Sequence, residues 1–239
     1  YPLVTGVQTC ALPIWDIVAL LRGFVSGILS GRPWATVESR VSLLIILGTL
    51  PIVVVGYGLR HLIKGEARRL EVVIAALVAA TLVMIVAEWV AARRLRGGDR
   101  GREGLEGIGP RDGVVMGLAQ VLALVPGTSR SGVTISAGML GGLDRRTAAR
   151  FSFLLSLPAV AAAGLLEAWQ ERHGILGSPD GIAAAVAGTV AAAVVGYAAI
   201  RWLLAMLGNH TLWPFIAYRL VLAAVLAWAL RSEEHTSEL

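Results

Sequence analysis

The chain has 239 residues, of which 56% are hydrophobic and 15% are charged, and it carries a net charge of +5 at pH 7. This apolar content exceeds what a water-soluble domain needs, so the composition excludes an ordinary soluble protein. The basic residues lie between apolar runs rather than on one face, which argues against a nucleic-acid partner. The single cysteine, Cys10, excludes an internal disulfide framework.

The two ends of the chain differ from its interior. Residues 4–14 (VTGVQTCALPI) have no helical periodicity, and residues 231–239 (RSEEHTSEL) are polar and abrupt. Both strings look like translations of one sequencing-adapter oligonucleotide, because a DNA encoding the second can be reverse-complemented into one encoding the latter part of the first. We therefore predict that residues 1–14 and 231–239 are adapter-derived, and that residues 15–230 form a single membrane domain lacking its true N-terminus. A natural disordered tail is the alternative.

The first half of the interior predicts two membrane-spanning helices. Residues 15–30 are apolar but carry Arg22, which predicts either the end of a truncated span or an interfacial helix. Residues 41–59 are free of charge and approach the roughly 20 residues that a spanning helix requires, and a proline inside such a helix is tolerated. Residues 70–92 predict the next span, and a basic run and a loop rich in Gly and charge follow it.

The second half predicts three more spans, which brings the expected total to about five. They cover residues 151–166, 181–200 and 213–230. These runs are apolar all round, as lipid-embedded helices must be, whereas helices of soluble proteins keep a polar face.

The distribution of basic residues predicts an orientation. Residues 22–40 and 93–111 together hold nine arginines, whereas residues 60–69 hold four arginines or lysines. Because cytoplasmic loops carry the excess of Arg and Lys, this difference places residues 93–111 in the cytoplasm.

A single arginine lies between two apolar stretches ahead of the last three spans. Residues 113–129 and 131–143 are free of charge, and Arg130 stands between them. In one continuous span this cation would lie near the middle of the bilayer, where a charge is costly and by default functional. Pro126 and Gly127 forbid such a helix, so we predict a helix that enters the membrane, a broken turn and a second helix that returns.

The residues of this turn, PGTSRSG, have the chemistry of a phosphate-binding loop. Ser129 and Ser131 offer hydroxyl donors, and Gly132 lets backbone amides approach an anion closely at the start of the returning helix. Arg130 adds a planar guanidinium that can bind phosphate with two hydrogen bonds. In the alternative interpretation, Ser and Thr only cap the returning helix while Arg130 extends to a nearby surface.

These residues resemble the undecaprenyl-diphosphate phosphatase family, the integral-membrane enzymes linked to bacitracin resistance. The resemblance is strongest over residues 117–134 (GLAQVLALVPGTSRSGVT) and continues through residues 149–158 (ARFSFLLSLP). Weaker similarity occurs at residues 50–56 (LPIVVVG) and 214–219 (PFIAYR), and the whole resemblance covers about residues 15–230.

The resemblance implies a fold and a set of site residues. The fold is an all-α, polytopic membrane helix bundle with a re-entrant helix pair at about residues 112–143, which forms part of an inverted repeat. Arg130 becomes the catalytic arginine that binds the diphosphate. The phosphate-binding residues are Gly127, Thr128, Ser129, Ser131, Gly132 and Thr134.

The chain also departs from the family pattern, because it has no Glu-rich first loop followed by Ser and His. His61, His173 and His210 fall in loops or at span edges, and His235 lies in the suspected adapter tail. The resemblance implies a divalent metal, Mg²⁺ or Ca²⁺, for the parent protein, with its ligands absent from this fragment. We therefore expect the chain as given to have little or no phosphatase activity.

The function implied by the resemblance is hydrolysis of undecaprenyl diphosphate to undecaprenyl phosphate and inorganic phosphate, which recycles the lipid carrier of cell-wall (peptidoglycan) synthesis. The expected location is the bacterial inner membrane, with multiple passes. The expected partners are a polyprenyl diphosphate and membrane lipids, with no nucleic acid, and a homo-oligomer is left open.

Two other classes of function compete with this one. A transporter or lipid scramblase also uses broken re-entrant helices with an anion-binding turn, but it would need polar residues along several helices. Glu88 and Glu167 are interpreted as interfacial carboxylates at span ends, which leaves the later spans almost without such residues. A purely structural membrane subunit would leave Arg130 in apolar surroundings unexplained.

Overall fold

The computed structural model describes residues 13–59, 62, 65–177 and 179–237. This part of the chain consists of helices and loops and contains no β-strand, so the all-α prediction is confirmed. The α-helices are α1 (Pro13–Leu29), α2 (Val37–Gly58), α3 (Leu70–Arg96), α4 (Pro110–Val121), α5 (Arg130–Leu140), α6 (Arg145–Gln170), α7 (Arg172–Leu176), α8 (Pro179–Asn209) and α9 (Trp213–Ser237). Short 3₁₀ turns occupy Glu66–Arg68, Leu105–Gly107 and Leu122–Leu124.

Within the described residues, five helices are long and apolar enough to cross a membrane, namely α2, α3, α6, α8 and α9. The prediction of a polytopic bundle with about five spans is therefore confirmed. In the most apolar stretch of α8 no residue is buried against the rest of the chain. An apolar surface of this extent is stable only where lipid or another apolar surface covers it.

The helix boundaries follow from local chemistry. Thr36 precedes α2 and its hydroxyl accepts a hydrogen bond from Ser39 N at 3.2 Å, which satisfies one free amide of the first turn. Asp144 does the same for α6, where its carboxylate accepts from Arg146 N at 3.0 Å and from Thr147 N at 3.1 Å. The basic run after the second predicted span continues α3 by one turn to Arg96, where cations favour the negative end of the helix dipole.

The predicted adapter-derived ends extend across the boundaries of the described helices. Helix α1 begins at Pro13, two residues before the predicted boundary, and α9 continues as helix to Ser237. Residues 1–12, 238 and 239 lie outside the described residues, as does His61 of the loop before α3. The adapter origin of both ends remains a prediction.

The buried core lies where α2, α4, α5 and α6 meet. Glycines allow close packing there, because a Cβ added to Gly117 of α4 would lie 2.6 Å from the Cα atom of Gly48 in α2. Met116, Met139 and Phe151 fill the adjoining space and are fully buried. The short helices α4 and α5 therefore pack against the longer ones at this core, while Val114 and Leu118 on another face of α4 are exposed.

Two ion pairs connect distant helices inside this bundle. Arg150 of α6 donates to Asp16 of α1 at 2.7 Å through Nε, and Asp16 is almost fully buried. Arg145 of α6 donates to both carboxylate oxygens of Glu88 in α3, at 2.9 and 3.2 Å from Nε, and through Nη2 as well. Glu88 is only 1% exposed, so its interpretation as an interfacial carboxylate is wrong. Glu167, in contrast, is exposed.

Candidate functional site

The loop singled out by the sequence joins α4 and α5, which form an antiparallel hairpin. Arg102 lies at the open end of this hairpin and donates to both oxygens of Asp112 in α4 at 2.7 Å, and to Gly141 O after α5 at 2.9 Å. The start of α4 and the end of α5 are therefore neighbours. Helices of 12 and 11 residues rise about 16–18 Å, roughly half the thickness of a hydrocarbon core, so the chain returns to the end at which it began.

The pairing of Arg102 with Asp112 fixes the hairpin's open end. The hydrogen bonds from the guanidinium to the buried carboxylate raise the pKa of Arg102 above its ordinary value, so the guanidinium stays charged at every physiological pH. Arg94 at the end of α3 adds hydrogen bonds to Met139 O at 2.8 Å and Leu140 O at 3.0 Å. These bonds satisfy carbonyls of the last turn of α5 that lack a partner within the helix.

The turn itself requires unusual backbone geometry. Gly127 has φ +93°, and a Cβ at this position would lie 2.4 Å from Val73 O of α3. Both the dihedral angle and the close contact require glycine. Ser129 has φ +63°, which makes it the one non-glycine residue with a positive φ in the described part of the chain. Such strain persists only where surrounding contacts hold it, and it is frequent at functional sites.

The change Gly127→Ala tests the role of this contact. We expect it to lower the melting temperature more than Gly31→Ala, because Gly31 has φ +64° but nothing within 4 Å of an added Cβ. Both variants carry the left-handed strain of about 1–2 kcal/mol, and only the first also collides with Val73 O. Thermal unfolding of both variants in detergent measures the difference. Equal shifts would show that the contact with α3 does not hold the loop.

The structure brings most of the predicted site residues together at the start of α5. The hydroxyl of Ser129 accepts from Gly132 N at 3.3 Å and caps the helix, while Ser131 is half-buried beside it. Gly132 is buried against Met84 of α3, since an added Cβ would lie 3.0 Å from the sulfur. Arg130 is half-buried, and among the described residues its side chain has no hydrogen-bond or ion-pair partner. This cation is available to an anion.

Two of the predicted phosphate ligands, Thr134 and Thr128, are buried and hold the loop in place. Thr134 is fully buried, its hydroxyl donates to Arg130 O at 2.8 Å, and it shares a hydrogen bond with Ser152 of α6. Thr128 is nearly buried, and its carbonyl, like that of Gly127, accepts from a guanidinium of α9. The hydroxyl of Thr134 is therefore turned into the protein interior and does not lie beside Ser129 and Ser131.

A pocket of about 240 Å³ opens beside the turn. Two serines and one arginine contribute to its lining, and apolar side chains from four helices and the α8–α9 connection form most of its surface. The lining residues are Met84, Ser129, Ser131, Gly132, Ile135, Leu203, Leu212, Phe215, Tyr218 and Arg219. A small polar end beside an apolar wall suits the charged head and first tail carbons of an anionic lipid.

Arg219 is the site residue that the sequence analysis did not single out. It lies in α9, where its Nε donates to Thr81 Oγ1 at 3.0 Å and its Nη2 donates to Gly127 O at 2.9 Å. Longer bonds from Nη2 reach Leu77 O and Thr128 O, at 3.2 and 3.3 Å. One guanidinium therefore joins α3, α9 and the turn. The sequence did contain a signal for this role, because Arg219 lies inside the predicted span 213–230 and charged residues inside spans are by default functional.

The described residues do not fit a divalent metal. Those that line the pocket include no carboxylate and no imidazole, although Mg²⁺ and Ca²⁺ prefer carboxylate oxygens. In the described part of the chain, no three His, Cys, Asp or Glu residues lie close enough together to hold an ion. The chemistry available at this pocket is that of hydroxyl, amide and guanidinium donors.

Fold and site together define an α-helical polytopic membrane protein whose candidate site combines phosphate-type donors with an apolar pocket. Comparison with known proteins gives the particular family. The pattern described as "Bacitracin resistance protein BacA" matches residues 9–225, and the chain belongs to this family.

Several relatives carry the name undecaprenyl-diphosphatase. The chain is 46% identical to the one from Chlorobaculum tepidum over 207 residues, which is 87% of this chain and 73% of the relative. It is 44% identical to the one from Chlorobium phaeovibrioides over 217 residues, covering 91% and 76%. It is 43% identical to the one from Anaeromyxobacter sp. over 212 residues, covering 89% and 69%.

Proposed function

We propose that this protein acts on undecaprenyl diphosphate as a membrane-embedded phosphatase, releasing undecaprenyl phosphate and inorganic phosphate. The observation that carries the proposal is the guanidinium of Arg130 at the start of α5, which has no partner among the described residues and lies in the chain between Ser129 and Ser131, two residues that line the pocket. Membership of the family and the name that its relatives carry support undecaprenyl diphosphate as the substrate.

In this reaction, water attacks the terminal phosphorus, and the bond from that phosphorus to the bridging oxygen breaks. The bridging oxygen leaves with the lipid as part of its monophosphate. Negative charge accumulates on oxygens that Arg130, the hydroxyls of Ser129 and Ser131 and the free amides of the first turn of α5 would bind. Stabilisation of this charge is the contribution that these residues make to catalysis.

We also propose that the pocket is one half of the complete site. Among the described residues, its lining includes no carboxylate or imidazole. Residues outside the described part would therefore supply the general base and the ligands of a divalent cation (Mg²⁺ or Ca²⁺). The chain as given is then expected to bind polyprenyl diphosphates but to hydrolyse them at a small fraction of the rate of an intact relative.

Phosphate release from undecaprenyl diphosphate tests both parts of this proposal. We expect purified chain in detergent to release phosphate at least about 100-fold more slowly than the Chlorobaculum tepidum relative, because a general base alone contributes about 10²–10⁴-fold. Binding of the same lipid should be measurable in both proteins. A rate close to that of the relative would contradict the split site, and absence of binding would contradict the proposed substrate.

The exposed apolar residues and the distribution of arginines support a membrane location for the protein. The exposed apolar stretch of α8 is the surface that we propose contacts membrane lipids, with a second copy of the chain as the alternative occupant. We propose the bacterial inner membrane as its location, with residues 93–111 on the cytoplasmic side and α4–α5 re-entering the bilayer from there. No observation favours the transporter alternative, since the apolar stretch of α8 provides no polar pathway.

A further inference from the structure

The guanidinium of Arg219 is only partly used by the protein. Its Nε and Nη2 atoms donate to Thr81 Oγ1, Leu77 O and the two carbonyls of the turn. Nη1 has no hydrogen-bond partner among the described residues. It is also not one of the fully buried polar atoms that lack a partner there, so a ligand could reach it. Arg219 lines the same pocket as Ser129 and Ser131, so its unpaired Nη1 is the donor that this side chain could still offer to a ligand there.

We propose that Arg219 binds one phosphoryl group of a diphosphate through Nη1, while Arg130 binds the other. This inference rests on the proposed function and names a second substrate-binding residue for it. Arg219 lines the pocket, and Arg130 lies in the chain between two further lining residues, Ser129 and Ser131. Two cations next to these hydroxyls match a ligand with two charged groups better than a ligand with one. Arg219 is suited to the task because its other donors already hold it in place, so little side-chain freedom is lost on binding.

The arrangement also gives the site a means to tell its substrate from its product. A polyprenyl diphosphate can engage both arginines at once, whereas the monophosphate that remains after hydrolysis can engage only one. The product therefore loses a set of charge-assisted hydrogen bonds when the terminal phosphate leaves. Release of the lipid monophosphate is favoured by that loss.

The test compares two ligands that the protein cannot hydrolyse. Farnesyl methylenediphosphonate carries two phosphoryl groups and farnesyl phosphonate carries one, and their affinities for the full chain in detergent are measured by calorimetry. We expect the wild type to prefer the diphosphonate by about tenfold or more, the effect of one or two charge-assisted hydrogen bonds. Arg219→Met should lose this preference while its affinity for the monophosphonate changes little. A residue that only holds the turn would weaken both ligands equally.

Arg94→Met is the matched control, because Arg94 also donates to two backbone carbonyls of the hairpin but at its other end, away from the pocket. It should keep the full preference for the diphosphonate. If Arg219→Met does not fold, Arg219→Lys decides, since lysine keeps the charge but cannot bind the turn and a phosphoryl group together. A reduced preference in the lysine variant supports the proposal, and an unchanged preference overturns it.

Two results with the wild type separate this inference from the proposed function. Binding of both ligands with equal affinity would overturn the role of Arg219 and leave the phosphatase proposal standing. Binding of neither ligand would contradict the proposed substrate and remove the inference with it.

Discussion

Substitution of Arg130 by alanine is expected to lower the affinity of the chain for farnesyl methylenediphosphonate by about 10- to 100-fold. In an intact relative, the aligned change should lower kcat/KM by about 10²–10³-fold, the usual effect of removing one donor that stabilises transition-state charge. Both effects are expected because of where the Arg130 side chain lies and because it is unpaired among the described residues. It stands at the positive end of α5 and has no partner of its own among the described residues.

Calorimetry with the variant, and phosphate release in the relative, measure these two effects. Arg111→Ala is the matched control, because Arg111 is an exposed arginine in the first turn of α4, at the opposite end of the same hairpin. It should change neither quantity. Unaltered affinity and unaltered hydrolysis after loss of Arg130, in a protein that still assembles in the membrane, would remove this residue from the site.

Substitution of Glu88 by glutamine is expected to cost about 3–5 kcal/mol of stability, the typical penalty for removing one partner of a buried ion pair. Arg145 would keep its charge but lose the buried carboxylate that it binds, and Leu212 N, which donates to Glu88 Oε2 at 3.3 Å, would face a weaker acceptor. These contacts join α3 to the start of α6 and to the connection between α8 and α9. The loss therefore affects three parts of the bundle.

Thermal unfolding in detergent measures this change, and we expect a fall in melting temperature of about 10 °C or more. Glu167→Gln provides the comparison, since Glu167 is an exposed carboxylate of α6 and its removal should shift the melting temperature little. The double change Glu88→Gln with Arg145→Met should recover part of the loss, because no unpaired charge remains. Equal shifts for the two single variants would show that the buried pair contributes nothing.

The spans could be predicted because lipid imposes a simple rule on sequence. A run of about 20 apolar residues has few alternatives to a helix that satisfies its own backbone, so all five spans appear near their predicted places. Breaks in such runs are equally visible, and Pro126 and Gly127 mark the turn between α4 and α5 for that reason.

Contacts between distant residues could not be predicted in the same way. Glu88 was assigned to a span end from its place near the end of residues 70–92, and nothing close to it in the sequence indicates its partner, Arg145, which lies 57 positions further along the chain. The bonds from Arg219 to the turn likewise join residues about 90 positions apart. Sequence periodicity reports which residues avoid water, but it does not report which buried groups meet.

Thr134 illustrates a finer limit. Its neighbours Ser131, Gly132 and Ile135 line the pocket at helical spacing, whereas Thr134 points to Ser152 of α6. Within a motif only a few residues long, one step along a helix turns a side chain by about 100°. The motif therefore indicates that a phosphate site is present, without giving each side chain's direction.

The hairpin contacts described above also bear on how a long lipid tail reaches the pocket. Arg102 holds the open end of the hairpin, while Val73 and Arg219 hold its turn, so the wall formed by α5 is anchored at both ends. The lining also includes Leu203 of α8, a helix whose most apolar stretch has no buried residue. We expect a lipid tail to leave the pocket along this lipid-facing helix, because the contacts of Arg102 and Arg219 hold the hairpin in place.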